Sequence, residues 1–187
     1  MSTRDDLIEA TRELMWERGY GATSPREILA ASGAGKGSMY HHFPSKEALA
    51  QAALARNSDQ MQAEVEQAFT LDGDALTQIR AYLTEHREAL KGCQFGRLVQ
   101  EPEVIEAETL RSSVGDMFAW IRAQLVVVIS RGIASGELRA DLDPTRTAAA
   151  IAATLQGAYV LARAAQDSSV FDDAVEGTLA LLEAARA

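Results

Sequence analysis

The chain contains little cysteine, little proline and no long apolar segment. A single cysteine, Cys93, among 187 residues excludes an internal disulfide and a zinc site built from cysteines. Four Pro and 13 Gly are too few for a collagen-like or low-complexity chain. The longest strongly apolar run, residues 125–129, is far shorter than the roughly 20 residues that span a bilayer. Residues 1–6 carry two acids where a signal peptide needs a basic segment. We therefore expect a soluble, cytoplasmic protein that does not enter a membrane.

Basic charge is also scarce. The chain has 18 Lys+Arg against 27 Asp+Glu, a net charge of −9, which on its own argues against a nucleic-acid binder. Apolar residues make up 47% of the chain and charged residues 24%, as in a folded globular protein. At about 150 residues per domain, the length allows one large domain or a small one beside a medium one.

Apolar residues recur with the 3.6-residue helical period along nearly the whole chain, and no segment alternates as a strand does. We predict an all-α fold of about nine helices, in which a small amino-terminal domain (residues 1–46) precedes a helical bundle (residues 47–187). The predicted helices cover residues 4–18, 25–31, 36–42, 46–69, 75–91, 95–100, 104–135, 144–166 and 171–185.

The first three helices have the layout of a helix-turn-helix. Ser24 and Glu27 form a capping box with Pro25 at the first helical position, and residues 32–35 (SGAG) form the turn. The spacing of apolar residues predicts a small core made of Leu7, Leu14, Met15, Ile28, Leu29 and Met39. A plain αα-hairpin with Tyr40 in its core is the alternative.

The negative charge lies mostly outside this segment. Residues 1–50 hold six basic and seven acidic side chains, whereas the other 137 hold 12 and 20. Residues 28–46 contain no acid and carry Lys36, His41, His42 and Lys46. DNA senses the field within about 8–10 Å, so the acidic total does not exclude DNA binding.

Residues 7–49 closely resemble the DNA-binding domain of the TetR family of bacterial transcriptional regulators and read LIEATRELMWERGYGATSPREILAASGAGKGSMYHHFPSKEAL. The resemblance implies a repressor bound to double-stranded operator DNA. It places Lys36, Gly37 and Ser38 against bases, and His41 against either bases or phosphates. The residues that it places mainly against phosphates are Ser24, Arg26, Tyr40, His42 and Lys46. Gly35 departs from the Ser or Thr that usually begins the recognition helix, which removes one hydroxyl but leaves an acceptable cap.

The bundle is expected to dimerise and to bind a small-molecule effector, as in that family. Small residues Ala149, Ala153 and Gly157 recur at i, i+4 and i+8, with Leu179 and Leu182 beside them on the last helix; packing within one chain is the alternative. Aromatic and polar residues are candidates for a ligand cavity, although such a stripe is also typical of plain core. They are Tyr82, His86, Phe95, Leu98, Met117, Trp120, Gln124, Tyr159 and Arg163.

Two further features concern chemistry. Cys93 follows Gly92 at a predicted helix junction between Lys91 and Arg97, where a lowered thiol pKa would permit sensing of electrophiles or oxidants; an inert thiol is the alternative. The acid-rich segment 101–108 is interpreted as a solvated face. We find no nucleophile with its base, no HExxH and no phosphate loop, and predict neither an enzyme nor a cofactor or metal site. A helical small-molecule-binding protein with a vestigial helix-turn-helix is the remaining alternative.

Overall fold

A computed structural model describes residues 2–85 and 87–187, and its regular structure over these residues is helical. The nine α-helices in this part of the chain are α1 (Thr3–Arg18), α2 (Pro25–Ser32), α3 (Lys36–His42), α4 (Lys46–Phe69), α5 (Ala75–Thr84), α6 (Pro102–Glu106), α7 (Glu108–Ala134), α8 (Pro144–Ala165) and α9 (Ser169–Glu183). One turn of 3-10 helix, Leu98–Gln100, precedes α6.

The helix boundaries follow capping chemistry where the chain supplies it. Ser2 caps α1 in a capping box with Asp5, and Ser24 does the same for α2 with Glu27. Asp143 caps α8 by accepting hydrogen bonds from the N–H groups of Thr145 and Arg146. Each cap provides a partner for N–H groups that the first helical turn leaves unsatisfied.

Three predicted helices differ from the structure. Residues 75–91 are helical only to Thr84, and the carbonyl oxygen of Tyr82 accepts a hydrogen bond from the Arg87 guanidinium at 2.6 Å. The predicted helix at 95–100 is the single 3-10 turn. The predicted helix at 104–135 is two helices, because Ala107 leaves the helical conformation at φ −79° and ψ 96°.

Contacts divide the chain into two compact units. Unit 1 consists of Met1–Gln60 with Cys93–Met117, and unit 2 of Met61–Gly92 with Phe118–Ala187. The domain boundary at residue 46 stays a prediction.

Unit 1 holds the predicted small core. Leu7, Ile28 and Met39 are completely buried. The rest of this cluster is contributed by Ile8, Leu14, Phe43, Leu49 and Ala53, with Leu29, Ala34 and Ala52 packed against it. The spacing of apolar residues on α1, α2 and α3 therefore predicted the packing of the first three helices.

In unit 2, α8 and α9 pack against each other, and the rings of Tyr159 and Phe171 meet at 4.8 Å between centroids. Helices α7 and α8 are long and apolar enough to cross a membrane by length and composition, although core helices of soluble proteins meet the same criterion. The large apolar side chains of Val160 and Leu161 on α8 are exposed, so part of the apolar surface of this helix faces outward.

Candidate nucleic-acid interface

Helices α2 and α3 form a helix-turn-helix whose turn depends on glycine. Gly33 ends α2 in the left-handed conformation at φ 68°, where a residue with a Cβ is strained. Gly35 caps α3 in an extended conformation without a side-chain bond. The turn therefore needs glycine at position 33 for its backbone angle.

The outward face of α3 carries most of the side chains predicted to contact DNA. Lys36, Gly37, His41 and His42 are exposed, and Tyr40 is 47% exposed, which excludes the alternative that Tyr40 lies in a core. Ser38 is half-buried, and Met39 on the opposite side is completely buried. Helix α3 thus separates a core residue from a polar, acid-free surface.

Gly35 and Gly37 are open to the outside of the chain. A Cβ added at either position would meet no heavy atom within 4 Å. The fold itself therefore gives no packing reason for glycine at these two positions. The missing side chains at these positions leave room for a partner of the chain to approach the backbone.

Ser24 and Lys46, two of the predicted phosphate contacts, have partners within the chain. The Ser24 hydroxyl donates to a Glu27 carboxylate oxygen at 2.7 Å and accepts from the Glu27 N–H at 3.3 Å. The hydroxyl and the backbone N–H of Ser24 both donate to this carboxylate, which lowers the pKa of Glu27. The Lys46 ammonium donates to the carbonyl oxygen of Tyr20 at 2.7 Å and lies 4.0 Å from its ring centroid. Partial burial lowers the pKa of Lys46. Arg26, in contrast, is exposed.

Two residues that form hydrogen bonds with the end of α1 and the α1–α2 loop were not predicted from the sequence. Arg97 donates to the carbonyl oxygens of Trp16 and Glu17, and Glu101 accepts from the N–H groups of Tyr20 and Gly21. Glu101 is half-buried, so the interpretation of residues 101–108 as a uniformly solvated face is wrong at this position. No local pattern signals a contact between residues some 80 positions apart.

The predicted effector-binding residues are mostly core residues. Buried positions are Tyr82, Phe95, Leu98, Met117 and Tyr159, and half-buried ones are Trp120, Gln124 and Arg163. His86 lies outside the described residues. Residues that line a cavity and residues of an ordinary core are both buried. The role of these residues in ligand binding therefore stays a prediction.

Unit 2 has a cavity of about 360 Å³, and none of the predicted effector-binding residues that the structure describes is among its lining. It lies between the end of α5 and the first turns of α9, with Leu83, Phe171 and Val175 as apolar lining. Its lining also includes Thr84, Glu85, Arg87, Ala89, Ser168, Asp172 and Glu176.

The predicted dimer residues divide between the surface and the core. Ala153 is exposed and Ala149 and Gly157 are half-buried, whereas Leu179 and Leu182 are buried within the chain at 3% and 6% exposure. Ala153 is thus accessible and the two leucines face inward, and the role of these five residues in a dimer interface stays a prediction. The large apolar side chains at the surface of α8 and α9 are Val160, Leu161 and Leu181, with exposures of 54%, 56% and 76%.

Cys93 is a half-buried free thiol at the start of a tight turn in unit 1. Its Sγ accepts a hydrogen bond from the N–H of Gly96 at 3.3 Å, and its carbonyl oxygen accepts from the N–H of Arg97 at 3.2 Å. The sulfur therefore takes part in the local backbone structure. A sensing role for Cys93 stays a prediction.

Comparison with known proteins identifies two family matches and several relatives. The family "Bacterial regulatory proteins, tetR family" matches residues 7–53, and "Tetracyclin repressor-like, C-terminal domain" matches residues 73–178. The transcriptional regulator AcuR of Cereibacter sphaeroides is 30% identical over 84% of this chain and 74% of AcuR. The HTH-type transcriptional repressor DhaR of Mycobacterium sp. (strain GP1) is 30% identical over 84% of this chain and 80% of DhaR.

A solved structure shows a similar chain on DNA. A cysteine mutant of the TetR family transcriptional regulator CifR, complexed with a 26-base-pair double-strand operator DNA, superposes with a TM-score of 0.81 at 25% identity. The match covers 94% of this chain and 95% of that one. The whole fold, and not only the helix-turn-helix, is therefore shared with a DNA-binding regulator.

Proposed function

Because the chain belongs to the TetR family of bacterial regulatory proteins, it is a DNA-binding transcriptional repressor, and we propose that it acts as a cytoplasmic homodimer that a small-molecule effector releases from its operator. Members of this family are regulators and not enzymes, in agreement with the sequence prediction. Operator binding by the similar CifR chain supports double-stranded DNA as the partner.

The observation that carries the DNA-binding proposal is the outward face of α3. Lys36, Tyr40, His41 and His42 are exposed on a surface whose residues 28–46 include no acid. Lys36, Gly37 and Ser38 are assigned to base contacts at the start of the helix, where recognition helices read the major groove. The assigned phosphate contacts are Arg26, Tyr40 and His42, with His41 facing bases or phosphates. Ser24 and Lys46 support this surface through their bonds to Glu27 and Tyr20.

The first prediction separates base readout from phosphate contact. Lys36→Ala and Ser38→Ala are expected to relax sequence preference, each reducing discrimination by about 1–3 kcal/mol at one base pair. Tyr40→Ala is expected to weaken binding to all sequences about equally, because phosphate contacts carry no sequence information. Fluorescence anisotropy against a duplex that the wild-type chain selects from a random pool, and against its single-base variants, measures both effects.

The control is Gln51→Ala, an exposed substitution on α4 outside residues 28–46, which is expected to leave affinity and preference unchanged. Equal loss of preference in Tyr40→Ala and Lys36→Ala would contradict the assigned roles. A wild-type chain that enriches no duplex would favour the alternative, a helical binding protein with a vestigial helix-turn-helix.

The dimer proposal is supported by the exposed apolar stripe of α8 and α9. Ala150, Ala153 and Ala164 on α8, and Ala180 on α9, are exposed along the same helices as Val160, Leu161 and Leu181. Small side chains allow close approach of helices, and the larger ones supply apolar area that a monomer would leave in water. Two recognition helices in a dimer read two half-sites about 34 Å apart, which one helix-turn-helix cannot do.

The effector proposal is supported by the match of residues 73–178 to the C-terminal domain of tetracycline-repressor-like proteins. An effector releases DNA only if it binds the released state more tightly than the DNA-bound state. The test is a screen of small molecules by thermal unfolding, followed by competition against the selected duplex. A compound that raises the midpoint temperature and displaces DNA supports the proposal.

A further inference from the structure

Arg97 and Glu101 lie in one matched region of the sequence and form hydrogen bonds with residues of the other. Both lie within residues 73–178, the region that matches the C-terminal regulatory domain, whereas all four of their partners described above lie within residues 7–53, the region that matches the DNA-binding domain. All these residues are in unit 1. We refer to Arg97 and Glu101 together as the loop clamp.

Arg97 caps the carboxyl end of α1. Its Nη1 lies 2.7 Å from the carbonyl oxygens of both Trp16 and Glu17. The last carbonyls of a helix have no partner within the helix and carry partial negative charge, so a guanidinium there satisfies both needs. Arg97 therefore fixes the position at which α1 ends.

Glu101 caps the loop that follows. Its two carboxylate oxygens accept from the N–H of Tyr20 at 3.1 Å and the N–H of Gly21 at 2.8 Å. The Tyr20 carbonyl oxygen is held from the other side by the Lys46 ammonium. Two charged side chains from distant parts of the chain thus hold the peptide groups of Tyr20.

Gly19 makes room for the Glu101 carboxylate. A Cβ at position 19 would lie 2.3 Å from Oε1 of Glu101, closer than atoms can approach, and the backbone there has φ 92°. Gly19 thus meets two demands, a left-handed backbone and an empty space for the carboxylate. The α1–α2 loop therefore accommodates the Glu101 carboxylate because position 19 is glycine.

The clamped loop leads directly into the DNA-contacting helices. The Thr23 hydroxyl donates to the Gly19 carbonyl oxygen at 2.7 Å, and Ser24 then caps α2. The clamp segment is itself anchored, because Phe95, Leu98 and Val104 are 2% exposed or less. A shift of the segment would therefore move the loop and the start of α2.

We propose that Arg97 and Glu101 are positioning residues for DNA binding, which hold α1 and the α1–α2 loop so that α2 and α3 meet DNA in the required orientation. This inference rests on the proposed assignment of α3 as the surface that contacts DNA. Neither residue is required to touch DNA. Their effect passes through the N–H groups of Tyr20 and Gly21 and the carbonyls of Trp16 and Glu17.

The test uses two conservative variants of the full chain, Glu101→Gln and Arg97→Lys, with the duplex selected by the wild type as the probe. Glu101→Gln removes a negative charge, so an effect of charge alone would strengthen DNA binding; the clamp predicts at least a tenfold loss. Arg97→Lys keeps the charge but replaces the planar guanidinium, whose Nη1 reaches both carbonyl oxygens, with the ammonium of a shorter side chain, and a tenfold loss is expected again. The slope of log affinity against log salt is expected to stay at the wild-type value, since no phosphate contact is lost.

Glu106→Gln is the matched control, because Glu106 is an exposed acid of the same segment and the variant makes the same charge change. It is expected to bind DNA as the wild type does. Amide hydrogen exchange gives the second readout: Tyr20 and Gly21 are expected to exchange faster in Glu101→Gln, while the slowest-exchanging core amides keep their rates. A general loss of stability would instead accelerate the core amides.

The outcomes separate the two proposals. If the wild type binds its selected duplex, and both clamp variants bind as tightly as Glu106→Gln, the clamp is overturned and the proposed function stands. If the wild type selects no duplex, the proposed function fails, and the clamp proposal fails with it. A third variant, Arg97→Gln, removes the charge: tenfold weaker binding with a reduced salt slope in this variant would make Arg97 a phosphate contact and overturn its positioning role.

Discussion

Replacing Leu181 with glutamate is expected to convert the proposed dimer into a folded monomer. Leu181 is 76% exposed on α9, so the carboxylate costs the isolated chain little. In a dimer built on the α8–α9 stripe, the same carboxylate would be buried without a partner, which costs several kcal/mol in each copy. Analytical ultracentrifugation measures the change in mass.

The same substitution is expected to reduce operator affinity at least 100-fold. A monomer reads one half-site, and the loss of the second half-site removes about half of the specific contacts. Circular dichroism should show an unchanged helical content, which separates lost dimerisation from unfolding.

Leu71→Glu is the matched control, since Leu71 is a 45% exposed leucine in the α4–α5 connection, outside the stripe. It is expected to remain dimeric and to bind DNA as the wild type does. A Leu181→Glu variant that still sediments as a dimer would place the interface elsewhere.

Met39→Ala is expected to destabilise the small core of unit 1 by about 2–5 kcal/mol. Met39 is the residue of α3 that is completely buried, and it packs in one cluster with Leu7 and Ile28. A loss of this size is a large part of the 5–15 kcal/mol that typically stabilises a protein. Urea unfolding measures it, and DNA binding should fall in parallel because α3 loses its support.

Two further variants, Met39→Leu and Tyr40→Ala, are the controls for Met39→Ala. Met39→Leu nearly conserves the buried volume and is expected to cost less than about 1.5 kcal/mol. Tyr40→Ala changes the neighbouring exposed residue, so the urea midpoint should hardly move while DNA binding weakens. If Met39→Ala unfolded at the wild-type urea concentration, the packing of α3 described above would be wrong.

The first three helices could be predicted from sequence to within a residue or two because their boundaries depend on local chemistry. Ser24 with Glu27, Pro25 and Gly33 act within a few positions of one another, and such signals are visible in a short window. The outward face of α3 could be predicted as well, because a helix that buries Met39 on one side exposes its other residues.

The helix boundaries after α4 depend on contacts between residues that lie far apart in the sequence. Neither Gly nor Pro marks the end of α5 at Thr84 or the break at Ala107. For the same reason no sequence pattern indicated the carboxylate of Glu101 that occupies the space beside Gly19. On α8 and α9, the spacing did not distinguish exposed from buried positions: Ala153 is exposed, whereas Leu179 and Leu182 are buried within the chain, because adjacent turns of an apolar helix offer several faces.

The uneven charge of the chain bears on how the protein is distributed over a genome. The 137 residues beyond position 50 carry a net charge of −8, so they add no attraction for random DNA to that of the α3 surface. A genome offers on the order of 10⁶–10⁹ competing random sites, so weak occupancy of those sites leaves more protein for the operator. The acidic part of the chain therefore sharpens operator occupancy without touching a base. Its signature would be short dwell times on random duplexes in single-molecule tracking, and dwell times as long as those on the selected duplex would argue against it.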